Sequence, residues 1–547
     1  MNLYELSEIA DKRFSHGEEI PQNIIEGVKQ IVSNGGFIGL AQINPIAGNI
    51  EYNAKKIAKY IKYSCKIGLD MVVFPELALM GYPIEDTIDR HPIIVEENIK
   101  WLKGLAKITV GTTALVGFVE PRKQDAEGKK YFNSVAILKN GKIAGIVRKS
   151  LLPNYSEFND YRYIEPSPVV GVQPTETLGV FDKDNIKESS KIFEKYGISI
   201  CEGCWNNKEF FEKNLYDKDP IDELAQENPE IFINCSASPT RAKKEQLKHN
   251  MLSFIAKKYN TPIVYVNQVG AIDNSSFDGS SRVFDADGKL LARAKSFEEQ
   301  FLIVNPKEKI GKIYPLTKGL DKSLKEQKVF TLEYESDLER TYKTIVQGIR
   351  DYFKKCGFKR AVLGLSGGLD STVCAVLLAD AIGKENVFGI SMPSHITSKE
   401  SKSDAQQLAH NLGINFTEAT IRPMIDTTTE CLNELFKTVE SKWDGRYKTS
   451  FTPDNIQARS RAMFLWGISN EFASCIPIAT SDKSELYMGY ATINGDMSGG
   501  FAPIADVPKT KLFAFARWMN KNREEKNAIP EAIILKKPGA ELAIDPK

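Results

Sequence analysis

The chain has 547 residues, 42% of them hydrophobic and 26% charged, and this length exceeds the roughly 250 residues that one hydrophobic core usually supports. With 72 Lys and Arg against 71 Asp and Glu, its formal net charge is +1, which argues against a protein that binds nucleic acid along its length. No apolar run reaches the roughly 18 residues of a membrane span, and the N-terminus lacks a secretion signal. The 8 cysteines are too sparse for a disulfide framework, so we expect a cytoplasmic, multidomain enzyme or binding protein with reduced thiols.

The first half of the chain predicts sheets covered by helices. Residues 1–36 form a polar N-terminal extension with an amphipathic helical stretch. After them, short apolar runs predict buried strands at FIGLAQI, MVVFP, ALVGFVE, ISICE, IFINCSAS and IVYVNQV. Hairpin dipeptides and helical patterns lie between these runs, at Asn140-Gly141, Asp287-Gly288, 53–66 and 243–259. Hairpins mixed with helices indicate an α/β domain over 37–305 whose sheets are not purely parallel.

The second half predicts a different kind of α/β domain. A lysine-rich stretch at 306–336 is the best candidate for a linker. Over 337–547, strands and helices alternate without hairpins, which is typical of a parallel sheet. The predicted strands are AVLGL, NVFGIS and CIPIAT, and the predicted helices cover 371–382 and 399–411.

A glycine-rich turn, GLSGGLDS at 364–371, follows the first of these strands and opens a helix. Glycines let the backbone N–H groups converge, and the helix N-terminus adds the positive end of its dipole, so the turn predicts an anion site. Ser366 and Ser371 add hydroxyl donors, while the carboxylate of Asp370 makes sense there if it holds a divalent cation. A plain strand-to-helix turn is the alternative, and the complete SGGxDS pattern makes it the weaker one.

This turn resembles the PP-loop of the ATP pyrophosphatases, which bind ATP and transfer AMP with release of pyrophosphate. Further segments narrow the resemblance to the NAD synthetases: MPS at 392–394, NIQAR at 455–459, TSDKSE at 480–485, GYAT at 489–492, GDM at 495–497 and DVPKT at 506–510. The family usually has TGNKSE where this chain has TSDKSE. The resemblance implies a Rossmann-like parallel α/β sheet that carries the PP-loop.

The same resemblance implies the residues that bind each ligand. The implied ATP-binding residues are Gly364, Leu365, Ser366, Gly367, Gly368, Leu369, Asp370, Ser371, Thr480 and Lys509. Those implied for deamido-NAD (nicotinic acid adenine dinucleotide) are Asn455, Arg459 and Glu485. Mg²⁺ is the expected ion, with Asp370 and Glu485 as its ligands, because Mg²⁺ pairs one or two carboxylates with substrate phosphates.

In the first half, three residues at separate predicted strand ends are candidates for catalysis: Glu76, Lys149 and Cys201. A thiol is a poor nucleophile at neutral pH until a base removes its proton. A carboxylate is the simplest such base, and an ammonium can stabilise the oxyanion formed on a carbonyl. Taken singly, each residue also has an ordinary explanation, as a helix cap, a solvated charge or a core thiol.

Together these three residues resemble the Glu-Lys-Cys triad of the nitrilase/amidase superfamily, which implies an α-β-β-α sandwich. LPNY, CEGCW, SASP and FDGSS narrow the resemblance to the glutaminase domain of glutamine-dependent NAD synthetases. It implies Cys201 as nucleophile, Glu76 as general base and Lys149 as oxyanion partner, with glutamine bound by Tyr155, Ser238 and Lys244. Cys204 leaves a redox pair or half a zinc site as an alternative, but no second CxxC completes a zinc tetrahedron.

The two resemblances together imply a coupled reaction. The thiol site releases ammonia from glutamine, and the PP-loop site activates deamido-NAD with ATP as an acyl adenylate that ammonia converts to NAD. An ammonia tunnel and a homo-oligomer are implied too, with small-molecule substrates and no nucleic-acid or membrane partner. Two alternatives stay open: a non-catalytic amidase-like scaffold beside a synthetase that uses free ammonia, and a PP-loop amidotransferase for another acceptor.

The chain departs from the family pattern at several positions. Asp160 stands where the family usually has Glu, and this shorter side chain would change the reach of a carboxylate that supports the thiol site. Gly203 and Gly539 replace the usual Asp and Ser. Relatives continue beyond the last motif with a helical segment that carries a substrate-binding lysine, so we expect this chain to be short at its C-terminal end.

Overall fold

The computed structural model describes residues 19–123, 126–173, 194–311, 335–443, 451–523, 525–537 and 539. The chain divides into two compact units, residues 1–335 and 336–547. Most of the predicted linker, the start of the predicted N-terminal extension and the last residues lie outside the described part. Among the described helices, none is long and apolar enough to cross a membrane.

The first unit is built on two large β-sheets. Its strands are β1 (Ile38–Gln42), β2 (Met71–Val73), β3 (Thr113–Pro121), β4 (Tyr131–Lys139), β5 (Lys142–Arg148), β6 (Val172–Gln173), β7 (Tyr196–Ile200), β8 (Ile231–Ser236), β9 (Ile263–Asn267), β10 (Val269–Ile272), β11 (Ser275–Asp278), β12 (Arg282–Phe284), β13 (Leu290–Arg293) and β14 (Gln300–Val304). One sheet has seven strands in the order β14-β1-β2-β3-β4-β5-β6, and the other has five in the order β13-β12-β9-β8-β7. β10 and β11 form a separate antiparallel pair.

Both sheets mix parallel strands with hairpins, as the turn signals predict. β4 and β5 are joined at Asn140-Gly141, where both residues have positive φ (49° and 80°), as a tight type I′ turn requires. β12 and β13 are joined across Asp287-Gly288, and Gly288 has a φ of 77°. By contrast, β1, β2 and β3 run parallel, as do β7, β8 and β9.

Helices cover the outer faces of the two sheets. They are α1 (Gln22–Val32), α2 (Ile50–Ile67), α3 (Thr87–Arg90), α4 (Ile93–Ile108), α5 (Asp160–Tyr163), α6 (Pro220–Ala225) and α7 (Lys244–Lys258). The sheets face each other through fully buried side chains such as Leu40, Val73, Ile198 and Ile233. α1, α2 and α4 pack on the outer face of the seven-stranded sheet, and α6 and α7 on that of the five-stranded sheet. The predicted α-β-β-α sandwich is therefore confirmed.

The second unit has one parallel sheet between two layers of helices. Its strands are β15 (Arg360–Gly364), β16 (Val387–Ser391), β17 (Asn415–Glu418) and β18 (Cys475–Pro477), in the order β17-β16-β15-β18. Its helices are α8 (Asp337–Cys356), α9 (Leu369–Ile382), α10 (Lys399–Leu412), α11 (Arg422–Glu440), α12 (Thr452–Glu471), α13 (Lys483–Met488), α14 (Lys509–Asn522) and α15 (Glu531–Leu535). The predicted Rossmann-like sheet is confirmed, because all three strand pairs are parallel.

The two helical layers of this unit differ in how strongly the sequence signals them. α8, α9, α10 and α14 bury a large apolar core against one face of the sheet. α11 and α12 cover the other face through fewer residues, and α11 buries one side chain, Ile425. The sequence analysis assigned no element to α11 or α12. The apolar positions of α12 give no clear helical stripe, whereas α11 has one that the analysis overlooked: Ile425, Leu432, Leu435, Phe436 and Val439.

Candidate active sites

The thiol of Cys201 lies at the carboxyl end of a parallel strand. Cys201 directly follows β7 and opens a short 3₁₀ turn, Cys201–Cys204. Its φ is 37°, in the left-handed region that non-glycine residues rarely adopt, and its side chain is buried. Asn234, on the neighbouring strand β8, donates to the Cys201 carbonyl oxygen at 3.4 Å. The strand end therefore holds the predicted nucleophile in an unusual backbone conformation, which is common among functional residues.

Lys149 forms a buried ion pair with the predicted base. Its Nζ lies 2.6 Å from Glu76 Oε1 and 2.6 Å from Asp160 Oδ2, with the Lys149 and Glu76 side chains almost fully buried. Glu76 also accepts a hydrogen bond from Asn133 Nδ2 at 2.7 Å and from the backbone N–H of Ala237 at 3.0 Å. The structure thus fixes the carboxylate of Glu76 from several sides. Asn133 is a partner that the sequence analysis missed, because nothing in its local pattern distinguishes it from any other strand residue.

Asp160 is shorter than the Glu that the family usually has at this position, but its carboxylate still reaches the thiol site. Asp160 is the first residue of α5, and its Oδ2 reaches the Lys149 ammonium directly. Its other oxygen, Oδ1, accepts a hydrogen bond from the hydroxyl of Tyr82 at 2.8 Å. The shorter side chain therefore still provides Lys149 with a second carboxylate.

Burial and these charges set the protonation states in the thiol site. Burial raises the pKa of Glu76, and the nearby Lys149 ammonium works in the opposite direction. Burial opposes the charge on Lys149, yet the Asp160 and Glu76 carboxylates raise its pKa well above the ordinary value. Burial and the Glu76 carboxylate raise the pKa of the Cys201 thiol, so it carries its proton at neutral pH. A base must remove that proton before the sulfur can attack, and the charge of Glu76 acts directly on the thiol.

Lys244, one of the residues predicted to bind glutamine, lies close to this thiol. The Lys244 charge acts on Cys201, and its Nζ stands over the rings of Trp205 (5.3 Å) and Phe158 (5.6 Å). Burial lowers the pKa of Lys244 to about 8. Ser238 follows β8, and its backbone N–H donates to Asn267 Oδ1 at 2.8 Å.

Tyr155 points to a carboxylate that the sequence analysis did not assign. Its hydroxyl donates to Glu202 Oε1 at 2.9 Å, and the Tyr216 hydroxyl donates to the same oxygen at 3.1 Å. Glu202 is buried, which raises its pKa, and it is the neighbour of Cys201 in the chain. The adjacency was a usable signal, but Tyr216 lies far from any motif, and only the fold brings it to this oxygen.

The side chain of Cys204 belongs to a different apolar core from that of Cys201. Its Sγ donates to the Cys201 carbonyl oxygen at 3.2 Å, and its side chain belongs to the apolar core between the five-stranded sheet and its helices. Both cysteines are free thiols. In the described part of the chain, the group of acidic, His and Cys residues that could hold a metal lies elsewhere, so the zinc alternative gains no support.

The glycine-rich turn connects β15 to α9 in the second unit. Gly367 has a φ of 75°, and a Cβ built on it would lie 2.3 Å from the Ser401 carbonyl oxygen. The Ser366 hydroxyl accepts a hydrogen bond from the Gly368 N–H at 3.2 Å, while the Ser371 hydroxyl donates to the Gly368 carbonyl at 3.2 Å. The turn therefore requires glycine at 367, and it places the N-terminus of α9 at the sheet edge where parallel strands end.

Three carboxylates meet beside this turn. Oxygens of Asp370, Asp482 and Glu485 lie within 4.8 Å of one another. Burial is the main cause of the raised pKa values of Asp370 and Glu485. Such a set of hard oxygen donors fits Mg²⁺, which prefers carboxylates together with substrate phosphates. The sequence analysis named Asp370 and Glu485 but missed Asp482, which also caps α13 through the Glu485 N–H at 2.9 Å.

Lys509 joins this cluster, as does Glu485, whereas the other two residues predicted for deamido-NAD are bonded elsewhere. Lys509 Nζ lies 2.6 Å from Asp370 Oδ2. On α12, Asn455 Oδ1 accepts from the Thr492 hydroxyl at 2.8 Å, and Arg459 Nε donates to the Ile493 carbonyl at 3.2 Å. The remaining predicted ATP residue, Thr480, follows β18 at the same edge of the sheet as the turn.

Two family descriptions match successive parts of the chain: Carbon-nitrogen hydrolase over residues 37–312 and NAD synthase over residues 341–546. The fold and the two sites thus define an enzyme that combines an amide-cleaving domain with a NAD synthase domain. The "Glutamine-dependent NAD(+) synthetase" of Synechocystis sp. is 36% identical over 509 residues, which cover 92% of this chain and 84% of that protein. The protein of the same description from Thermotoga maritima is 38% identical over 530 residues, with 92% and 84% covered.

Solved structures agree with these relatives. The glutamine-dependent NAD+ synthetase from Acinetobacter baumannii, determined in complex with ADP, is similar with a TM-score of 0.74 and 30% identity over 92% of this chain and 85% of that chain. The corresponding enzyme from Cytophaga hutchinsonii shares the fold, with a TM-score of 0.68 at 21% identity over 91% of this chain and 84% of that chain. The chain belongs to the family of the glutamine-dependent NAD(+) synthetases.

Proposed function

We propose that this chain makes NAD from deamido-NAD, with ATP as the energy source and glutamine as the nitrogen donor. The reaction consumes glutamine, ATP, deamido-NAD and water, and it produces glutamate, AMP, pyrophosphate and NAD. The first domain, over 37–305, releases the nitrogen, and the second, over 337–547, forms the new amide. All 8 cysteines are free thiols, which supports a reducing compartment, the cytoplasm, as the place of this reaction.

In the first domain, Cys201 is the nucleophile. Glu76 accepts the thiol proton, and the sulfur attacks the side-chain carbonyl carbon of glutamine. The developing oxyanion is stabilised by the Lys149 ammonium, which its two carboxylate partners keep charged. When the tetrahedral intermediate collapses, the C–N bond breaks and Glu76 gives its proton to the leaving nitrogen, which departs as ammonia. Water, deprotonated by Glu76, then cleaves the glutamyl thioester to glutamate and restores the thiol.

Charges around the thiol suit the two ends of an amino acid. Lys244 offers an ammonium to the α-carboxylate of glutamine, and the Glu202 carboxylate, held by Tyr155 and Tyr216, suits the α-ammonium. Both groups are close enough to Cys201 to act on its charge. Ser238 completes this pocket through the segment that Asn267 holds in place. These charges support recognition of a zwitterion over a simple amide.

In the second domain, the turn at 364–371 binds the pyrophosphate part of ATP. The carboxylate of the deamido-NAD nicotinate attacks the α-phosphorus of ATP, and the bond from this phosphorus to the oxygen of the β-phosphate breaks. Pyrophosphate departs, and the product is an acyl adenylate. Ammonia attacks the acyl carbon, AMP departs, and the carboxamide of NAD is formed. Asn455 and Arg459 hold deamido-NAD, while Thr480 and Lys509 face ATP.

The carboxylate cluster has its own part in this step. Asp370, Asp482 and Glu485 would hold Mg²⁺, and the bound ion would supply positive charge for the phosphates of ATP. Asp482 adds a fully buried carboxylate to the two residues that the resemblance implies.

We also propose that copies of the chain associate through α11 and α12. This surface exposes large apolar side chains: Leu435, Phe436, Phe451, Met463, Trp466 and Phe472. A concentration of exposed apolar residues of this size on two neighbouring helices is typical of an interface. Sedimentation velocity on the wild type should give an oligomer, and Met463→Lys together with Trp466→Lys should shift it to monomer. A monomeric wild type would contradict this part of the proposal.

The buried contact of Lys149 with Glu76 and Asp160 beside Cys201 is the observation that carries the coupled function. We expect Cys201→Ala to abolish NAD formation from glutamine and to leave NAD formation from ammonium salts intact. Cys356→Ala, at an exposed thiol, is the control and should retain both. If Cys201→Ala changes neither, the first domain is a scaffold. If AMP appears only with an acceptor other than deamido-NAD, the substrate assignment is wrong.

A further inference from the structure

Lys509 lies at the centre of the three-carboxylate cluster. Its Nζ is 2.6 Å from Asp370 Oδ2, 2.9 Å from Asp482 Oδ2 and 3.2 Å from Glu485 Oε1. It also lies 2.7 Å from the second oxygen of Asp370. A single ammonium therefore contacts every carboxylate that could serve as a ligand of a divalent cation in this group.

Local structure holds Lys509 at this position. Lys509 is the first residue of α14, and its backbone N–H donates to the Ser484 hydroxyl at 3.0 Å. Ser484 belongs to α13, the helix that Asp482 caps and that carries Glu485. The lysine and two of the three carboxylates are thus fixed to one another through short helices, with the side chain of Lys509 21% exposed.

The charges explain why an ammonium is stable there. Asp482 is fully buried, and Asp370 and Glu485 are largely buried, with 22% and 26% of their side chains exposed. Three carboxylates so close together repel one another strongly where water is scarce. Lys509 offsets part of this repulsion, and its removal would leave buried negative charge without a partner.

An ammonium and a divalent cation cannot use the same oxygens at the same time. Mg²⁺ requires ligand oxygens at about 2.0–2.1 Å, closer than those around Lys509 Nζ, and two cations at this spacing would repel each other. A divalent cation can enter the centre of the cluster only if the Lys509 ammonium moves away. The ammonium is stable at a new position only if another anion lies beside it. The phosphates of ATP provide that anion, because Asp370 is itself part of the phosphate-binding turn.

We infer that Lys509 occupies the cation position of this site in the nucleotide-free protein and gives it up to the divalent ion only when ATP phosphates take the ammonium. This inference rests on the proposed role of the turn and the cluster in ATP binding. Its consequence is an order of events: the divalent ion enters with the nucleotide and not before it. Lys509 then contributes its charge to the phosphates at the stage when the acyl phosphate bond forms.

The test measures cation binding directly and does not depend on enzyme activity. Mn²⁺ binding to the nucleotide-free full-length protein is followed by electron paramagnetic resonance, for the wild type, Lys509→Met and Lys509→Gln. We expect both variants to bind Mn²⁺ at least about tenfold more tightly than the wild type, because a competing charge is removed. Their melting temperature should rise with added Mg²⁺, whereas that of the nucleotide-free wild type should not.

Lys511→Met is the matched control. Lys511 belongs to the same helix and forms an ion pair with Asp337 at 2.8 Å, away from the cluster, so its replacement should leave Mn²⁺ binding unchanged. Mn²⁺ binding by the nucleotide-free wild type as tight as that of the Lys509 variants would overturn the inference. If neither variant folds, tight Mn²⁺ binding by the nucleotide-free wild type alone overturns it. The proposed ATP-binding role would survive that result if ammonium-dependent NAD synthesis persists. If no protein binds the ion, with or without ATP, both the inference and the cation site are wrong.

Discussion

At the scale of single residues, the proposed reaction at the thiol site depends on a proton that Glu76 accepts and later returns. Burial raises the pKa of Glu76 and that of Cys201, so the thiol is neutral at rest and Glu76 holds a proton more readily than an exposed glutamate would. Neither property follows from the residue types, since an exposed glutamate and an exposed thiol would have ordinary pKa values. The site is therefore built by burial as much as by the choice of side chains.

Replacing this carboxylate isolates its role as base. Glu76→Gln keeps the size of the side chain but cannot accept the thiol proton, so kcat for glutamine hydrolysis should fall by about 10²–10⁴-fold. NAD synthesis from ammonium salts should be unchanged, and Glu51→Gln, on an exposed helix surface, should leave both rates intact. Glutamate release and NAD formation are measured separately. Normal glutamine hydrolysis by Glu76→Gln would exclude it as the base.

The lowered pKa of Lys244 predicts how glutamine use depends on pH. Burial lowers this pKa to about 8, so the ammonium is present below that pH and is lost as the pH rises through it. The α-carboxylate of glutamine then loses its partner, and kcat/KM for glutamine should fall above pH 8, since this ratio reports the free enzyme. Lys244→Arg should remove the fall, because guanidinium stays charged. A profile that is the same in both proteins would contradict this role for Lys244.

At the scale of structural elements, the glycine-rich turn at 364–371 depends on one glycine. Any side chain at Gly367 would meet the Ser401 carbonyl oxygen at 2.3 Å and would have to adopt a φ of 75°. Gly367→Ala should therefore distort the turn and weaken ATP binding by about tenfold or more, with glutamine hydrolysis retained. Gly348→Ala, in a helix where the added Cβ meets open space, is the control. Isothermal titration with ATP measures the effect, and unchanged affinity would show that the turn tolerates a side chain.

A buried ion pair links two elements of the first domain. Lys248 on α7 lies 3.0 Å from Asp278 on β11, and both side chains are 1% exposed. Lys248→Met should leave the Asp278 charge buried and lower the free energy of unfolding by about 3–5 kcal/mol. Adding Asp278→Asn should recover part of that loss. Calorimetry of the full chain tests this, and a double variant less stable than Lys248→Met would contradict the pairing.

At the scale of the whole molecule, the two sites must share one nitrogen atom. If ammonia passes directly from the first domain to the second, NAD made from ¹⁵N-amide glutamine should carry ¹⁵N even with excess ¹⁴N ammonium in solution. Mass spectrometry of NAD measures the ratio. Cys201→Ala is the control, since it should incorporate ¹⁴N alone. If the ¹⁵N fraction of NAD made by the wild type equals that of the mixed ammonia in solution, ammonia is released to the solvent.

Much of the architecture was accessible from the sequence because its signals are local. Asn140-Gly141 specifies its hairpin through backbone conformation, and the alternation of strand and helix after 337 specifies a parallel sheet. α11 and α12 were not predicted: the apolar residues of α12 follow no helical period, and the period present in α11 was overlooked.

Sequence alone determined most of the elements, the glycine-rich turn at 364–371 and the candidate residues named by their motifs: Glu76, Lys149 and Cys201. Only the tertiary structure decided their partners. Asn133, Tyr216 and Asp482 reach the two sites from positions distant in the chain or hidden in a helix cap, and the pKa shifts arise from burial that no local pattern encodes. The physical reason is that a motif specifies backbone conformation and chemistry over a few residues. Hydrogen bonds, ion pairs and desolvation depend on which distant segments the fold packs together.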